Sequence, residues 1–335
     1  MNIDLDNLFA GFSKMKVAVI GDVMLDTYWW GNVERISPEA PVPVVALSKR
    51  EKRIGGAGNV ALNVEELGAS VAVLTILGDD EDGAELKNLF REKNIDTRFI
   101  LESNKRITTN KIRIISRNQH MMRLDAENTA DIEESDVEKL QNQIERFINA
   151  EKPDVVILED YNKGILTPLI IEKTIAICNE TGIPTAIDPK RKNFFSYKNA
   201  TLFKPNLSEA ITALNIIPED VSLDLLEEIH SSLKEKLDHT ISLVTLSEKG
   251  VFYQEGNNKR IIPSHRRKIA DVSGAGDTVI AVASLVYAAT KDINLAAEIS
   301  NIAGGIVCEE VGTVPINKEK LLAECKKLVT SENSS

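Results

Sequence analysis

Five short apolar runs, Val17–Ile20, Val155–Leu158, Thr185–Ile187, Thr201–Phe203 and Ser242–Val244, constrain the fold more than any other feature of the chain. They stop at Gly21-Asp22, Glu159-Asp160, Asp188-Pro189-Lys190, Lys204-Pro205-Asn206 and Thr245 respectively. Continuous rather than alternating apolar strands are buried on both faces. Interleaved with helical patterns, they predict an α/β fold: a mostly parallel sheet flanked by helices on both faces. Ligands of open parallel sheets bind beyond the carboxyl ends of the strands. Asp, Asn, Lys and Thr at five such ends therefore predict one long polar cleft. The plainer reading, that loops after strands are polar everywhere, stays open.

The 335 residues suit one large α/β domain or two ordinary ones, and a hydrophobic content of 43% supplies a sizeable core. Residues 1–330 read as a single domain, with a polar tail at Ser331–Ser335 expected to be disordered. With 40 basic against 51 acidic side chains the formal charge is −11, which argues against nucleic acid or an anionic membrane as the main partner. Cys178, Cys308 and Cys325 show no C-x-x-C spacing, and the four histidines are scattered singly. Neither a disulfide framework nor a zinc site is expected. The acidic N-terminus has no signal-peptide pattern, and no run approaches the roughly twenty apolar residues that span a bilayer. A soluble cytoplasmic protein is expected.

Two segments break the strand–helix rhythm. Residues 27–54 hold Trp29, Trp30 and the prolines 38, 41 and 43; residues 106–125 alternate basic and apolar side chains over Asn110–Arg117. Both read as β hairpins that can pair into a small sheet. Such a sheet can act as a lid that excludes water from the cleft, as an edge extension, or as a dimer interface to which the tryptophans contribute.

The richest motif is Asp271-Val272-Ser273-Gly274-Ala275-Gly276-Asp277-Thr278, followed by the apolar run Val279–Val286. Glycines allow a tight turn that points N–H groups at one spot, and a helix N-terminus adds partial positive charge. The backbone of Gly274, Ala275 and Gly276 is the expected anion cradle, and Asp277 the expected base. Helix capping by Asp277 is the alternative. A second glycine cluster, Gly55-Gly56-Ala57-Gly58-Asn59-Val60-Ala61, contains the dinucleotide fingerprint G-x-G-x-x-A, with Asp79 and Asp80 about twenty residues on. It follows Lys49–Arg53 rather than an apolar strand, so the preferred reading has Gly55, Gly56 and Asn59 holding sugar hydroxyls. No G-x-x-x-x-G-K-[ST] occurs. Asn206 and Glu209 stand three apart at a strand–helix turn, the spacing of a water-mediated magnesium site and also of a capping box. Thr245, Lys163 and Lys190 are further candidates for contacts to phosphate.

Taken in order, Gly55-Gly56-x-Gly58-Asn59, Asn206-x-x-Glu209 and Gly274-Ala275-Gly276-Asp277 resemble the ribokinase-like (PfkB-type) carbohydrate kinases, over Lys16 to about Leu328. The resemblance implies ATP and Mg²⁺, with a monovalent cation as an open addition. It implies Asp277 as base, and Asn206 and Glu209 at the phosphates and the ion, which Glu209 reaches through water. Longer stretches, Gly21–Asp26, Arg35–Pro43, Ser116-Arg117-Asn118-Gln119 and Asp160-Tyr161-x-Lys163-Gly164, look like the D-glycero-β-D-manno-heptose 7-phosphate kinases of lipopolysaccharide core precursor synthesis. That likeness implies phosphorylation of the anomeric hydroxyl to a 1,7-bisphosphate. No H-x-G-H signature is present, as in stand-alone kinases whose product passes to a separate nucleotidyltransferase. Ser247 departs from the glycine that many relatives carry in T-x-G-x-x-G.

A sugar that already bears a phosphate needs cations at its far end. Lys111, Arg113, Arg117 and Arg123 cluster in the expected lid of an acidic chain, and Arg suits bidentate phosphate binding. Strand alternation allows only some of them to face the cleft. The expected acceptor site is Asp26, Gly55, Gly56, Asn59, Lys111, Arg113, Arg117, Asp160 and Lys163; the expected nucleotide site is Asn206, Glu209, Thr245 and Lys190. A homodimer through the lid is expected. The rivals are another sugar-phosphate or nucleoside kinase, a dinucleotide oxidoreductase and a non-catalytic sugar-phosphate sensor.

Overall fold

The computed structural model describes residues 4–332 apart from Asn118, Glu219 and Arg266. Helix α1 (Leu5–Gly11) leads into the central strand β1 (Lys16–Gly21). The chain leaves the core as β2 (Val23–Ile36) and β3 (Pro43–Gly56), then returns through α2 (Ala57–Glu66), β4 (Ser70–Gly78), α3 (Glu81–Glu92) and β5 (Ile100–Ser103). A second excursion, β6 (Asn110–Ser116) and β7 (Gln119–Ala126), is followed by α4 (Glu134–Glu151), β8 (Val155–Glu159), α5 (Pro168–Thr181), β9 (Thr185–Asp188) and β10 (Leu202–Phe203). Helices α6 (Leu207–Leu214) and α7 (Leu223–Leu237) precede β11 (Ile241–Thr245), β12 (Val251–Glu255) and β13 (Asn258–Ile262). The chain closes with α8 (Ala275–Thr290), α9 (Ile293–Val307) and α10 (Lys318–Glu332).

The main sheet has nine strands in the order β13-β12-β11-β10-β9-β8-β1-β4-β5. Strands β11 through β5 in that order pair in parallel, and β12 and β13 add an antiparallel edge. Alternation in β1 shows why both faces are apolar. Val17 and Val19 join the core under α2, α8 and α9, while Ala18 and Ile20 join the core under α4, α5 and α7. The expected α/β architecture is therefore the observed one. The five anticipated strands are all present; β4, β5 and the antiparallel edge add to them. No helix among the described residues is long and apolar enough to cross a membrane. The three cysteines are free thiols.

The two excursions form a separate sheet of order β3-β2-β6-β7. It consists of two antiparallel hairpins joined by a parallel β2–β6 contact. Its first strand starts earlier than the segment expected from sequence, because β2 follows β1 after Asp22 alone, and β6 starts later, at Asn110. Trp29 and Trp30 are half-buried rather than exposed. Ser331 and Glu332, expected in the tail, close α10 instead, and Asn333–Ser335 lie outside the described residues. Asn118 of the Ser116–Gln119 stretch also lies outside them.

Ser247 opens a 3₁₀ turn after β11 with φ of +54°, a left-handed conformation. An L side chain there costs about 1 kcal/mol relative to glycine. Replacement by glycine, Ser247→Gly, is expected to raise the denaturation midpoint by roughly 2 °C on that basis. A scanning-calorimetry midpoint that falls instead would refute the strain at this turn.

Candidate active site

Asp277 lies in the first turn of α8, and the residue is only 5% exposed. The turn before it needs glycine: Gly274 has φ of +79°, and a Cβ there would stand 2.8 Å from Asn59 Nδ2. The carboxylate is gripped from two sides. Asn59 Nδ2, from α2, donates to Oδ2 at 2.7 Å, and the Tyr161 hydroxyl donates to Oδ1 at 2.7 Å. Burial raises the Asp277 pKa above the ordinary aspartate value, and these two donors pull against it. A carboxylate so placed is a better proton acceptor than an exposed one. Burial and the neighbouring Asp277 charge push Tyr161 well above the usual phenol range, so it stays a donor.

Asn59 is fully buried and its amide serves Asp277. The expected sugar contact of Asn59 gives way, in this structure, to a hydrogen bond with the Asp277 carboxylate. Of the three amides expected to form the anion cradle, that of Ala275 bonds Val272 O at 3.3 Å, so the cradle narrows to its neighbours. Gly55 and Gly56 make the crossing from β3 into α2. A Cβ at Gly55 would stand 2.4 Å from Asp26 Oδ2, and one at Gly56, where φ is +61°, 2.4 Å from Asp22 O. Because β3 belongs to the small sheet, the G-x-G-x-x-A stretch lacks the core strand that a dinucleotide site needs. Asp80 caps α3 through Gly83 N instead.

Tyr161 and Lys163 sit on the loop after β8, and what holds that loop was not anticipated from sequence. Asp22 accepts from the N–H groups of Tyr161, Lys163 and Ile165 at 2.8, 2.9 and 3.1 Å. A one-residue link between β1 and β2 with a buried acid was the available signal. Asp160 turns the other way: it accepts from the Tyr197 hydroxyl at 2.8 Å and from Asn162 N at 2.7 Å. Burial and the Asp22 charge lift its pKa to about 6. These contacts tie Asp160 to its own loop and to Tyr197.

Above Tyr161 the basic side chains of the small sheet converge. Lys111 and Lys190 each bring Nζ to 5.6 Å from the Tyr161 ring centroid. Lys163 pairs with Glu127 at 2.7 Å, and Arg113 pairs with the buried Asp26. Arg117 stays exposed at the β6–β7 turn, apart from this cluster. A cavity of about 220 Å³ opens between the sheet and the loops at 271–273 and 311–312, lined by Tyr28, Arg53, Arg113, His120, Ser273 and Gly312 among others. Arg53 and His120 were not anticipated. Arg53 stacks on Tyr28 at 4.9 Å and donates to Thr313 O at 3.1 Å, a contact between residues 260 apart in sequence.

The ends of β8, β9 and β10 supply the other side. Lys204 Nζ contacts Asp188 Oδ2 at 2.7 Å, and Lys190 Nζ contacts Asp188 Oδ1 at 3.2 Å and Glu209 Oε1 at 2.8 Å. Burial alone would raise Asp188, but the two lysines overcome it and hold its pKa below the usual range. Burial likewise opposes the Lys190 charge, and Asp188 and Glu209 outweigh it to raise that pKa. Asn206 and Glu209 form a capping box, with Glu209 N donating to Asn206 Oδ1 at 2.8 Å and Asn206 N to Glu209 Oε2 at 2.9 Å. Both Glu209 oxygens are therefore engaged, which leaves contact through water as its route to an ion. Thr245 bridges to Asn206 at the end of β11. Asp188 Oδ2 and Lys204 Nζ each lie 3.8 Å from where a Gly276 Cβ would stand, so this cluster reaches the turn that carries Asp277.

Comparison with known proteins accords with this arrangement. Residues 14–320 match the pfkB family carbohydrate kinase. A relative from Geotalea uraniireducens (strain Rf4), named bifunctional protein HldE, is 38% identical over 327 residues, covering 96% of this chain and 65% of the relative. One of the same name from Sulfurimonas denitrificans is 39% identical over 302 residues, 90% of this chain and 62% of the relative. The chain thus spans a little under two thirds of the relatives it matches. Phosphofructokinase-2 from Escherichia coli in complex with potassium superposes with a TM-score of 0.76 at 17% identity, over 93% of this chain and 99% of that one. Arabidopsis thaliana ribokinase complexed with ribose and ATP gives 0.70 at 16% identity, over 92% and 98%. A fold shared with those enzymes, and a family match across nearly the whole chain, show that this chain belongs to the pfkB family of carbohydrate kinases.

Proposed function

We propose that this kinase phosphorylates the anomeric hydroxyl of D-glycero-β-D-manno-heptose 7-phosphate, giving the 1,7-bisphosphate used in ADP-heptose synthesis for lipopolysaccharide core. The observation that carries the reading is the concentration of cations at the small sheet in a chain of net charge −11: Lys111 over Tyr161, which bonds Asp277, Arg53 and Arg113 over Tyr28, and Lys163 on the loop that carries Tyr161. Cations gathered locally against the overall charge suit an acceptor that already bears a phosphate. The HldE name of the relatives points the same way.

In this reading ATP lies along Lys190, Lys204, Asn206 and Thr245, and the sugar between the small sheet and Gly55–Gly56. Magnesium, reached by Glu209 through water, neutralises phosphate charge. Asp277 accepts the hydroxyl proton while Asn59 and Tyr161 fix its orientation, and the free amides at the start of α8 face the charge on the transferring group. The small sheet excludes water from the cleft. ATP and sugar phosphates place the reaction in the cytoplasm.

Steady-state turnover with heptose 7-phosphate, fructose 6-phosphate, ribose and adenosine tests the substrate. We expect kcat/KM for the heptose phosphate to exceed that for ribose and adenosine by about a hundredfold, the effect of about 3 kcal/mol of charge-assisted contacts left without a phosphate. Comparable use of ribose or adenosine would overturn it. The variant Asp277→Asn should lose about 10²–10⁴ in kcat with little change in ligand affinity.

The acid limb of the kcat profile reports Asp277. Its pKa is raised from 3.8, so activity is present above that raised value and lost as pH falls through it. Tyr161→Phe removes a donor that favours the charged form. The limb should move to higher pH by about one unit, the equivalent of a charge-assisted hydrogen bond. An unmoved limb would remove Asp277 from the titration.

A second copy of the chain is the partner proposed for the small sheet. β7 is exposed over its whole length, and Met122 (57%), Leu124 (42%), Val42 (52%) and Ile36 (60%) leave apolar surface on the same sheet. Sedimentation should give about twice the 37.0 kDa chain mass. Met122→Lys should shift the population toward monomer, and a wild-type monomer at micromolar concentration would exclude this interface.

A further inference from the structure

Arg106 lies on the link 104–109 that carries the chain from β5 to β6, and so from the core sheet to the small one. The link is pinned on both sides. Before it, Ser103 Oγ donates to the buried Asp136 at 2.6 Å. Within it, Thr108 N donates to Asp80 Oδ2 at 2.8 Å, and Thr108 Oγ1 accepts from Gly78 N at 3.0 Å. The Arg106 carbonyl is packed as closely: a Cβ at Gly78 would stand 2.9 Å from it. From this fixed base the guanidinium reaches the loop after β8, where Nη2 donates to Lys163 O at 2.9 Å.

The other donors of the guanidinium are the unusual part. Arg106 Nε and Nη1 are buried, and neither has a hydrogen-bond partner among the described residues. Burying N–H groups unpaired is costly, and stability alone is served as well by an apolar side chain in such a place. What the cation supplies is charge beside the acid that fastens the loop. Asp22 accepts from the N–H groups of Tyr161, Lys163 and Ile165. Burial pushes its carboxyl up, toward a proton that would weaken it as an acceptor; those N–H groups and the Arg106 charge pull the other way. Burial opposes the Arg106 charge in turn, and Asp22 and Asp136 favour it. One guanidinium thus acts on the loop twice. It binds the Lys163 carbonyl directly, and it favours the ionised acid that collects the N–H groups around it.

We propose that Arg106 is a positioning residue for the kinase reaction: it holds the loop at 160–165 so that the Tyr161 hydroxyl stays on Asp277. The inference rests on Asp277 being the base, but not on which sugar is phosphorylated.

Amide hydrogen exchange of the full chain, read by mass spectrometry, tests the hold directly. In Arg106→Met, peptides covering 160–165 should exchange about tenfold faster than in the wild type, the factor of one charge-assisted hydrogen bond. Peptides covering β1 and the interior of α8 should not change. Arg106→Gln loses the charge and keeps an N–H donor; it should show the same local change, and it supplies the answer if the first variant does not fold. The pH profile of kcat tests the consequence. Arg106→Met should move the acid limb to higher pH, in the direction of Tyr161→Phe, and the double variant should show no more than the larger of the two shifts. A residue that only stabilised the fold would lower kcat at every pH and leave the limb in place. Three results would overturn the proposal: unchanged exchange at 160–165 in a folded variant, faster exchange throughout the molecule, or a limb that moves in Tyr161→Phe and not in Arg106→Met. A limb that Tyr161→Phe also leaves in place counts against Asp277 as the base, while exchange at 160–165 still decides on Arg106, so the two readings fail separately.

Discussion

One carboxylate, held in a fixed place where burial opposes it, organises the active centre. Asp277 is gripped in a nearly closed site by Asn59 and Tyr161, which favour its charged form against burial and come from separate elements: Asn59 from the helix after the small sheet, Tyr161 from the loop after β8. Neither partner is fixed by its own element alone. Asn59 stands where it does because Gly55 and Gly56 let β3 pass against Asp22 and Asp26 with almost no space. Tyr161 stands where it does because Asp22 collects three backbone N–H groups of its loop. Through Asp22 the same short link from β1 to β2 sets both, so the orientation of the base follows from the point where the small sheet leaves the core.

Charge then divides the cleft into two unlike halves. Toward the later strands, Asp188, Lys190, Lys204 and Glu209 form an ion-pair chain in which Lys190 is held between Asp188 and Glu209 and Lys204 pairs with Asp188. Toward the small sheet, cations lean on aromatic rings: Lys111 over Tyr161, Arg53 and Arg113 over Tyr28. Burial pushes the Lys111 pKa down, which shows how far that half is withdrawn from water. Arg53 and Arg113 also pair with Glu51 and Asp26, so acids accompany the cations in both halves.

The parallel sheet, its flanking helices and the glycine turn before Asp277 were legible because they follow local rules: continuous apolar strands, polar ends and a left-handed glycine. The capping box of Asn206 and Glu209 was legible for the same reason. The function of Asn59 was not, since its partner lies 218 residues away and nothing in a glycine-rich turn reveals which acid it will meet. Tyr161 was read only as part of a motif, because a tyrosine after a strand carries no mark of its target. Asp160 and Glu159 illustrate the limit most clearly. Adjacent acids at one strand end point to opposite faces by the two-residue period of the strand. The period says that they separate, but not which faces the cleft.

Arg53 adds a mechanical consequence to this geometry. It rises from β3, stacks on Tyr28 of β2, and donates to Thr313 O, whose side chain lies 3.1 Å from where a Gly274 Cβ would stand. Asp271, just before that turn, accepts from Gly312 N at 2.9 Å and from Ser273 N at 3.0 Å. The small sheet, the loop at 311–313 and the turn that starts α8 thus form one hydrogen-bonded sequence of contacts. Displacement of the sheet away from that loop would strain or break the Arg53 contact, so the small sheet and the glycine turn are joined through a single guanidinium. The coupling needs no long-range path, since each step is a direct contact.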